Sequence, residues 1–482
     1  MTVQESYSVN LEITRSLGIH GWAHLDPVLL AALATQSPLL LVGPHGTAKS
    51  LLIERIAAAL GLSMRHYNAS LLNYDDLVGI PIPEEDGDSL RFIATPSSIW
   101  DAEFVFFDEI SRCRPDLQNK MFPIIHERRI AGISLGKLQH RWSAMNPPAP
   151  EEPDPSGNQQ VTYYLGSEPL DPALADRFPF VVPVPDWKRL SRDDRRQLVS
   201  WRNEHINGDA PSEGFSLEAL VNNCVALIPG LEEQYGDWIA DYIVMIVDLL
   251  ERTQLPQSPR RARMLARSVI AIHAARIVLE GEDAELEDSA EIALSFGLPQ
   301  NAADVPPTET TVIAVHKQAW EIATLMEDDS WRQVLSELDP VRRIQLADEL
   351  DFSDDDLSRL ITQALGARAT EAQRVSLAVA LFLTYRQTRN LSPAAWEPLI
   401  GLSARVLEPR AMTALVRPGP DMTIGQEIKD WTLTLDDTPR ARLERNFVLC
   451  GYPDWWRRES WKEALDRLRA DLAAFEEGTG ES

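Results

Sequence analysis

Gly43-Pro44-His45-Gly46-Thr47-Ala48-Lys49-Ser50 decides the reading of this chain. It follows the apolar run Leu39-Leu40-Leu41-Val42 and precedes a helical pattern from Leu51 to Leu60. Strand, glycine loop and helix, in that order, make an anion site, because loop N–H groups and the helix N-terminus point at one place. In such a loop Lys49 reaches the β- and γ-phosphates of a nucleotide and the Ser50 hydroxyl ligates Mg²⁺. The spacing departs from G-x-x-x-x-G-K-[ST] at Ala48, where glycine is usual. A right-handed backbone at Ala48, beside the helix start, would accommodate the methyl group. The plainer alternative is a glycine-rich turn with a chance lysine, and the rest of the chain weighs against it.

About sixty residues further on, Phe104-Val105-Phe106-Phe107 reads as a buried parallel strand ending in Asp108-Glu109. Carboxylates at a strand's C-terminal end face the crevice where ligands bind in open α/β sheets. There Asp108 would hold the Mg²⁺ shell, and Glu109 would orient and deprotonate an attacking water. Asn146 ends a later strand and would offer its amide to the γ-phosphate or the water, although a turn asparagine before Pro147 is the simpler reading of that residue alone. Asp176-Arg177-Phe178 precedes the final strand, Phe180–Val184. Arg177 would suit an arginine finger reaching a neighbouring subunit, and Arg260, near a helix start at Ser258-Pro259, would fold back on the nucleotide. Either arginine alone reads as a surface charge.

Together these pieces resemble the MoxR-type AAA+ ATPases over about residues 15–298. The matching segments are Gly43–Ser50, Phe107-Asp108-Glu109-Ile110-Ser111-Arg112, Glu127-Arg128, Met145-Asn146-Pro147, Leu174-Ala175-Asp176-Arg177-Phe178 and Ser258-Pro259-Arg260. The resemblance implies a hexameric ring that binds ATP and Mg²⁺ at subunit junctions. It places Ile19, His20 and Gly21 along the adenine pocket, and it implies a protein client and often a von Willebrand factor A-domain partner. Asn158–Gly166, with Tyr163-Tyr164, lengthens the segment before Arg177 relative to the family.

Strands alternating with helices predict a parallel sheet with helices on both faces over 1–186. Two hairpin inserts are expected. One pairs Gly79–Pro83 with Leu90–Ala94 around the acidic turn Glu84–Asp88, and the other pairs Arg129–Ile133 with Leu138–Ala144 around Ser134–Lys137. Asp26 reads as the N-cap of a helix with Pro27 at N1. A helical lid is expected over 187–298, a linker over 299–309 and a helical domain of unassigned role over 310–482.

The chain has 482 residues, room for about three domains. Its net charge of −27 argues against a protein whose main partner is nucleic acid held by non-specific phosphate contacts. The polar opening Met1–Glu5 lacks a signal-peptide pattern, apolar runs such as Val375–Tyr385 are too short to span a bilayer, and Cys113, Cys224 and Cys450 lie far apart. The expectation is a cytoplasmic protein with reduced thiols and no membrane partner. Asp351–Asp356 lacks the glycine and glutamate of a calcium loop, so Ser353 with Asp356 reads as a helix start. His66, His126, His140 and His273 have no metal-ligand spacing and read as isolated. Trp461, Leu465, Leu468, Leu472 and Phe475 share a helical face that would dock on its own domain; the alternative is a partner-binding helix anchored by Trp455 and Trp456.

The functional expectation is therefore a MoxR-like AAA+ ATPase that remodels, loads or releases a protein. Rival readings are a metal-chelatase motor subunit, a non-hydrolysing ATP-bound scaffold and a GTP-driven DNA-restriction motor.

Overall fold

The computed structural model describes residues 12–83, 90–148, 169–200, 215–303, 305–325, 330–408 and 422–476. The expected turn Glu84–Asp88 and the segment Asn158–Gly166 lie outside these residues. The chain divides into two compact units, Met1–Thr324 and Leu325–Ser482.

The first unit contains all nine described strands: β1 (Leu39–Val42), β2 (Met64–Asn68), β3 (Ile80–Pro83), β4 (Leu90–Ile93), β5 (Phe104–Asp108), β6 (Arg129–Ile130), β7 (Ile133–Ser134), β8 (His140–Met145) and β9 (Phe180–Pro183). Five of them form a parallel sheet in the order β2-β5-β8-β1-β9. Alternation divides its side chains between two faces. Leu40, Val42, Val105, Phe107 and Val181 share a core with Leu117, Met121 and Ile124 of helix Pro115–Glu127. The alternate residues Leu39, Leu41, Phe104, Phe106 and Trp142 are also fully buried, so both faces are covered. Each such side chain contributes roughly 1.5–3 kcal/mol by leaving water.

β3 and β4 form the first insert as expected, with Ile80 opposite Ile93. The second insert differs from its expectation. β6 pairs with β7, not with the segment from Leu138, and its turn is Ala131-Gly132 rather than Ser134–Lys137. Both turn residues have positive φ, 49° and 80°, the geometry a two-residue hairpin turn favours. β8 belongs to the central sheet, where burying six consecutive residues outweighs extending a short exposed ribbon.

Helix Asp26–Ala34 also departs from its expectation. Asp26 is itself helical (φ −54°, ψ −42°) and is not an N-cap. Its carboxylate instead accepts from Thr14 N–H at 3.0 Å, tying the lead-in to the helix. Around the expected linker, residues 299–302 form a turn packed on the sheet, with Asn301 donating to Val181 O at 3.0 Å. The next helix, Glu309–Thr324, also belongs to the first unit. Its His316 accepts from or donates to the Tyr242 hydroxyl at 2.8 Å, and Trp238 Nε1 donates to Ala323 O. The unit boundary thus falls after Thr324 rather than within 299–309.

The described part of the second unit is helical. Ser353 caps helix Asp354–Ala367, accepting from Asp356 N–H, as its sequence predicts. Trp461, Leu465, Leu468, Leu472 and Phe475 of the last helix are buried in this unit's own core. Trp456 is buried as well and donates to Val448 O, which places it in the core rather than on a docking surface. Among the described residues, no helix is long and apolar enough to cross a membrane.

Burial pushes the Asp26 carboxyl up to about 7, although its bonds with Thr14 oppose the shift. The folded pKa lies above the unfolded one, so the stability this group contributes is full at acid pH and is lost as pH rises from about 4 through 7. Asp26→Asn keeps an acceptor for Thr14 and cannot ionise. Thermal unfolding should therefore show the variant gaining on the wild type by on the order of a few kcal/mol between pH 5 and pH 8. A difference that does not change with pH would contradict the burial argument.

Candidate active site

The register of the sheet assembles the site. Val42 lies level with Met145 of β8, and Phe107 of β5 lies level with Ser143. The chain therefore leaves β1, β5 and β8 at the same edge, carrying the loop from Gly43, the pair Asp108-Glu109 and Asn146. Residues 45–51, Asp108, Glu109 and Asn146 line one cavity of about 270 Å³.

Within it, Lys49 begins helix Lys49–Ala59, and its Nζ donates to the carbonyls of Gly43 and Pro44, each at 2.7 Å. Burial lowers the ammonium pKa to about 8, against the opposing pull of Asp108 and Glu109. The first-turn N–H groups of this helix have no intrahelical acceptor and carry the positive end of its dipole. Ser50 Oγ donates to Asp108 Oδ2 at 2.9 Å. Burial works against the Asp108 carboxylate, but bonds from His66, Ser50 and the Glu109 N–H outweigh it and hold its pKa below the ordinary range. A hydroxyl and a carboxylate this close are the hard oxygen donors Mg²⁺ takes, and the loop's cation and helix terminus suit a phosphate. The residues fit both groups.

Ala48 is not right-handed. It lies at φ 67°, ψ 20°, and Gly46 at φ 74°. The loop needs this conformation to turn its backbone into the helix, and alanine holds it at a cost of roughly 1–2 kcal/mol. Glu109 is also left-handed (φ 55°, ψ 39°), with Arg112 Nη1 3.7 Å from its carboxylate.

The other expected residues lie elsewhere. His20 and Gly21 line a separate cavity of about 280 Å³ with Glu12, His24 and Asp194. Arg55 of the phosphate-loop helix donates to Leu17 O, which seats the lead-in on that helix. Arg177 is not among the residues lining the cavity beside Lys49; its guanidinium lies 4.4 Å from the Phe122 ring centroid and donates to Ala173 O. Arg260 is half-exposed, 3.6 Å from Asp176.

Sequence reasoning set His66 aside as isolated, yet it sits beside the site. Its Nε2 is 3.7 Å from Asp108 Oδ2, and its Nδ1 is 3.4 Å from Glu54. Its pKa is raised, chiefly by the bond to Asp108. The readable signal was parallel pairing of β2 with β5, which sets His66 level with Phe106, two residues from Asp108.

Residues 38–178 match the family model described as AAA domain (dynein-related subfamily). The match spans β1 through β8 and the cavity-lining residues described above, and helical regions follow it in the chain. No curated protein matches the chain. Among solved structures the chain is similar to a protein of Cytophaga hutchinsonii named "putative ATPase", at 18% identity and a TM-score of 0.44, covering 64% of this chain and 92% of that one.

Ala48→Gly should raise the unfolding free energy by about 0.5–1 kcal/mol, because glycine carries no Cβ penalty at positive φ. Ala48→Val should lower it, because a branched Cβ is worse placed there. Denaturant unfolding measures both, and a loss of stability on Ala48→Gly would argue for a right-handed loop.

Proposed function

We propose that this chain is a MoxR-like AAA+ ATPase that works in the cytoplasm as a ring, expected to be hexameric. It hydrolyses ATP to remodel, load or release a protein client, with a von Willebrand factor A-domain protein as the expected partner. The observation carrying this reading is the single cavity shared by the loop, Asp108, Glu109 and Asn146.

In this reading Lys49 exchanges the Gly43 and Pro44 carbonyls for the β- and γ-phosphates, with the loop and first-turn N–H groups around them. Ser50 and Asp108 hold Mg²⁺, which when bound neutralises charge on the phosphate oxygens. Glu109 orients the attacking water and takes its proton, while the Asn146 amide contacts the γ-phosphate or that water. Arg260 faces the nucleotide of its own chain. Arg177 serves the neighbouring subunit, where it offsets charge developing in the transition state.

Lys49→Ala should leave the fold intact and weaken ATP binding by about 10- to 100-fold, the loss of one charge-assisted contact. Calorimetric titration measures the affinity, and an unchanged Kd would remove the phosphate-loop assignment.

Arg177→Ala should bind ATP and fail to hydrolyse it. Mixing it with Glu109→Gln protein should recover turnover, because mixed rings contain junctions with an intact Glu109 on one side and an intact Arg177 on the other. No recovery from subunits proven to co-assemble would argue that each site is complete within one chain.

A further inference from the structure

The helix carrying Arg260 and the segment carrying Arg177 are joined by a side chain to which the sequence motifs assign no role. Arg261 is 0% exposed. One of its terminal nitrogens donates to Phe178 O at 2.8 Å and Gly297 O at 2.9 Å, and the other donates to Ala175 O at 3.2 Å. Its Nε donates to Asp176 Oδ1 at 3.3 Å. The second Asp176 oxygen accepts from Ser258 Oγ at 3.0 Å, and that hydroxyl oxygen accepts the Arg261 N–H at 3.0 Å, which closes a ring of bonds. Arg177 therefore sits between two neighbours, Asp176 and Phe178, that are both fastened to helix Pro259–Glu280.

We infer that Arg261 is a positioning residue that, with Asp176, locks the Arg177 segment to the helix carrying Arg260, so that the placement of Arg177 follows that helix. The inference rests on the reading of Arg177 as acting on a neighbour's phosphate. The chemistry requires arginine. Only a planar fork with five donors can serve the carbonyls of Ala175, Phe178, Pro179 and Gly297 and a carboxylate in fixed directions, whereas lysine brings the charge on a single nitrogen. The consequence is mechanical. A subunit whose Arg260 responds to its own nucleotide carries Arg177 with the same helix, and so alters the site of its neighbour.

The test uses Arg261→Lys in the full chain, with ATP turnover, ATP affinity and thermal unfolding measured together. KM should stay within about threefold, because binding at the variant's own site is untouched. Turnover should fall by about tenfold or more, since misplacing a reacting group by 1 Å can cost ~10²-fold. Mixing the variant with Glu109→Gln protein should restore turnover, because those subunits supply well-placed Arg177 side chains. Mixing it with Arg177→Ala should restore nothing, because both partners are defective at the same element. A merely structural role would not produce that asymmetry. If Arg261→Lys does not fold, Asp176→Asn, which keeps an acceptor for Ser258 and removes the charge, undergoes the same mixing tests. Wild-type turnover in the folded variants, or a deficit that Glu109→Gln subunits do not rescue, would overturn the inference. Loss of turnover in Arg177→Ala alone would then leave the reading of Arg177 standing, whereas retention of turnover in Arg177→Ala would overturn both.

Discussion

The Gly43 N–H donates to Met145 O at 3.1 Å, and the arrangement of the site depends on that register. It holds the first residue of the phosphate loop against the last residue of β8, so Asn146 emerges beside the loop. On the other flank the Val184 N–H donates to Val42 O at 2.8 Å. A Cβ on Gly43 would come within 2.2 Å of Val184 Cγ2, so glycine is required for both neighbouring strands to grip the chain where it leaves the sheet. A one-residue slip of β1 would turn its side chains to the opposite faces and carry the loop away from Asp108. The apolar runs of β1 and β5 thus fix the geometry of polar residues that they do not contain.

Within that frame Lys49 and Asp108 are each satisfied by polar groups around them. Lys49 is neutralised by carbonyl dipoles and Asp108 by a hydroxyl, an imidazole and a backbone N–H. Burial raises the energy of each charge and also strengthens each bond it makes. In the proposed reading a phosphate entering the loop would replace two carbonyls at Lys49 rather than water, so the exchange would favour a ligand with more negative charge than a pair of dipoles. The left-handed backbones at Ala48 and Glu109 belong to the same design, because each holds a chain reversal next to a group that must face the cavity.

The parts legible in the sequence were those whose signal is local. A loop between strand and helix, an apolar strand ending in Asp108-Glu109, and an amphipathic last helix each declare themselves within about a dozen residues. The misread parts depend on pairing at a distance. His66 looks isolated until β2 lies beside β5. Asp26 looks like a cap until Thr14 returns to it. The Ala131-Gly132 turn is hidden in the sequence by the stronger apolar pattern of β8, which reads as its partner strand. Helix Glu309–Thr324 follows a proline-rich stretch that resembles a linker, yet its aromatic contacts with Trp238 and Tyr242 join it to the first unit. Ala48 failed for a different reason, since side-chain size alone does not report the sign of φ.

Two buried guanidiniums show how the first unit handles charge away from the cavity. Arg141 is 4% exposed and donates to the carbonyls of Ile125, Gln36 and Gln139. Arg261 likewise spends most of its donors on carbonyls, among them Ala175 and Gly297, the last residues of their helices. Helix C-termini leave carbonyls unpaired and carry partial negative charge, so a buried arginine there meets two needs at once. Desolvation still lowers both pKa values, to about 9 for Arg141 and about 10 for Arg261, and both remain protonated at neutral pH. The two differ in one respect that bears on mechanism. Arg141 links β8 to helix Pro115–Glu127 and to the turn after helix Asp26–Ala34, whereas Arg261 also pairs with Asp176 and so ties the segment before β9 to a helix more than eighty residues later in the chain. A buried carboxylate–guanidinium pair contributes little net stability once desolvation is counted, but it demands one geometry. Between a half-buried Arg177 and an exposed Arg260, a fixed geometry is what the proposed relay between nucleotide sites would require.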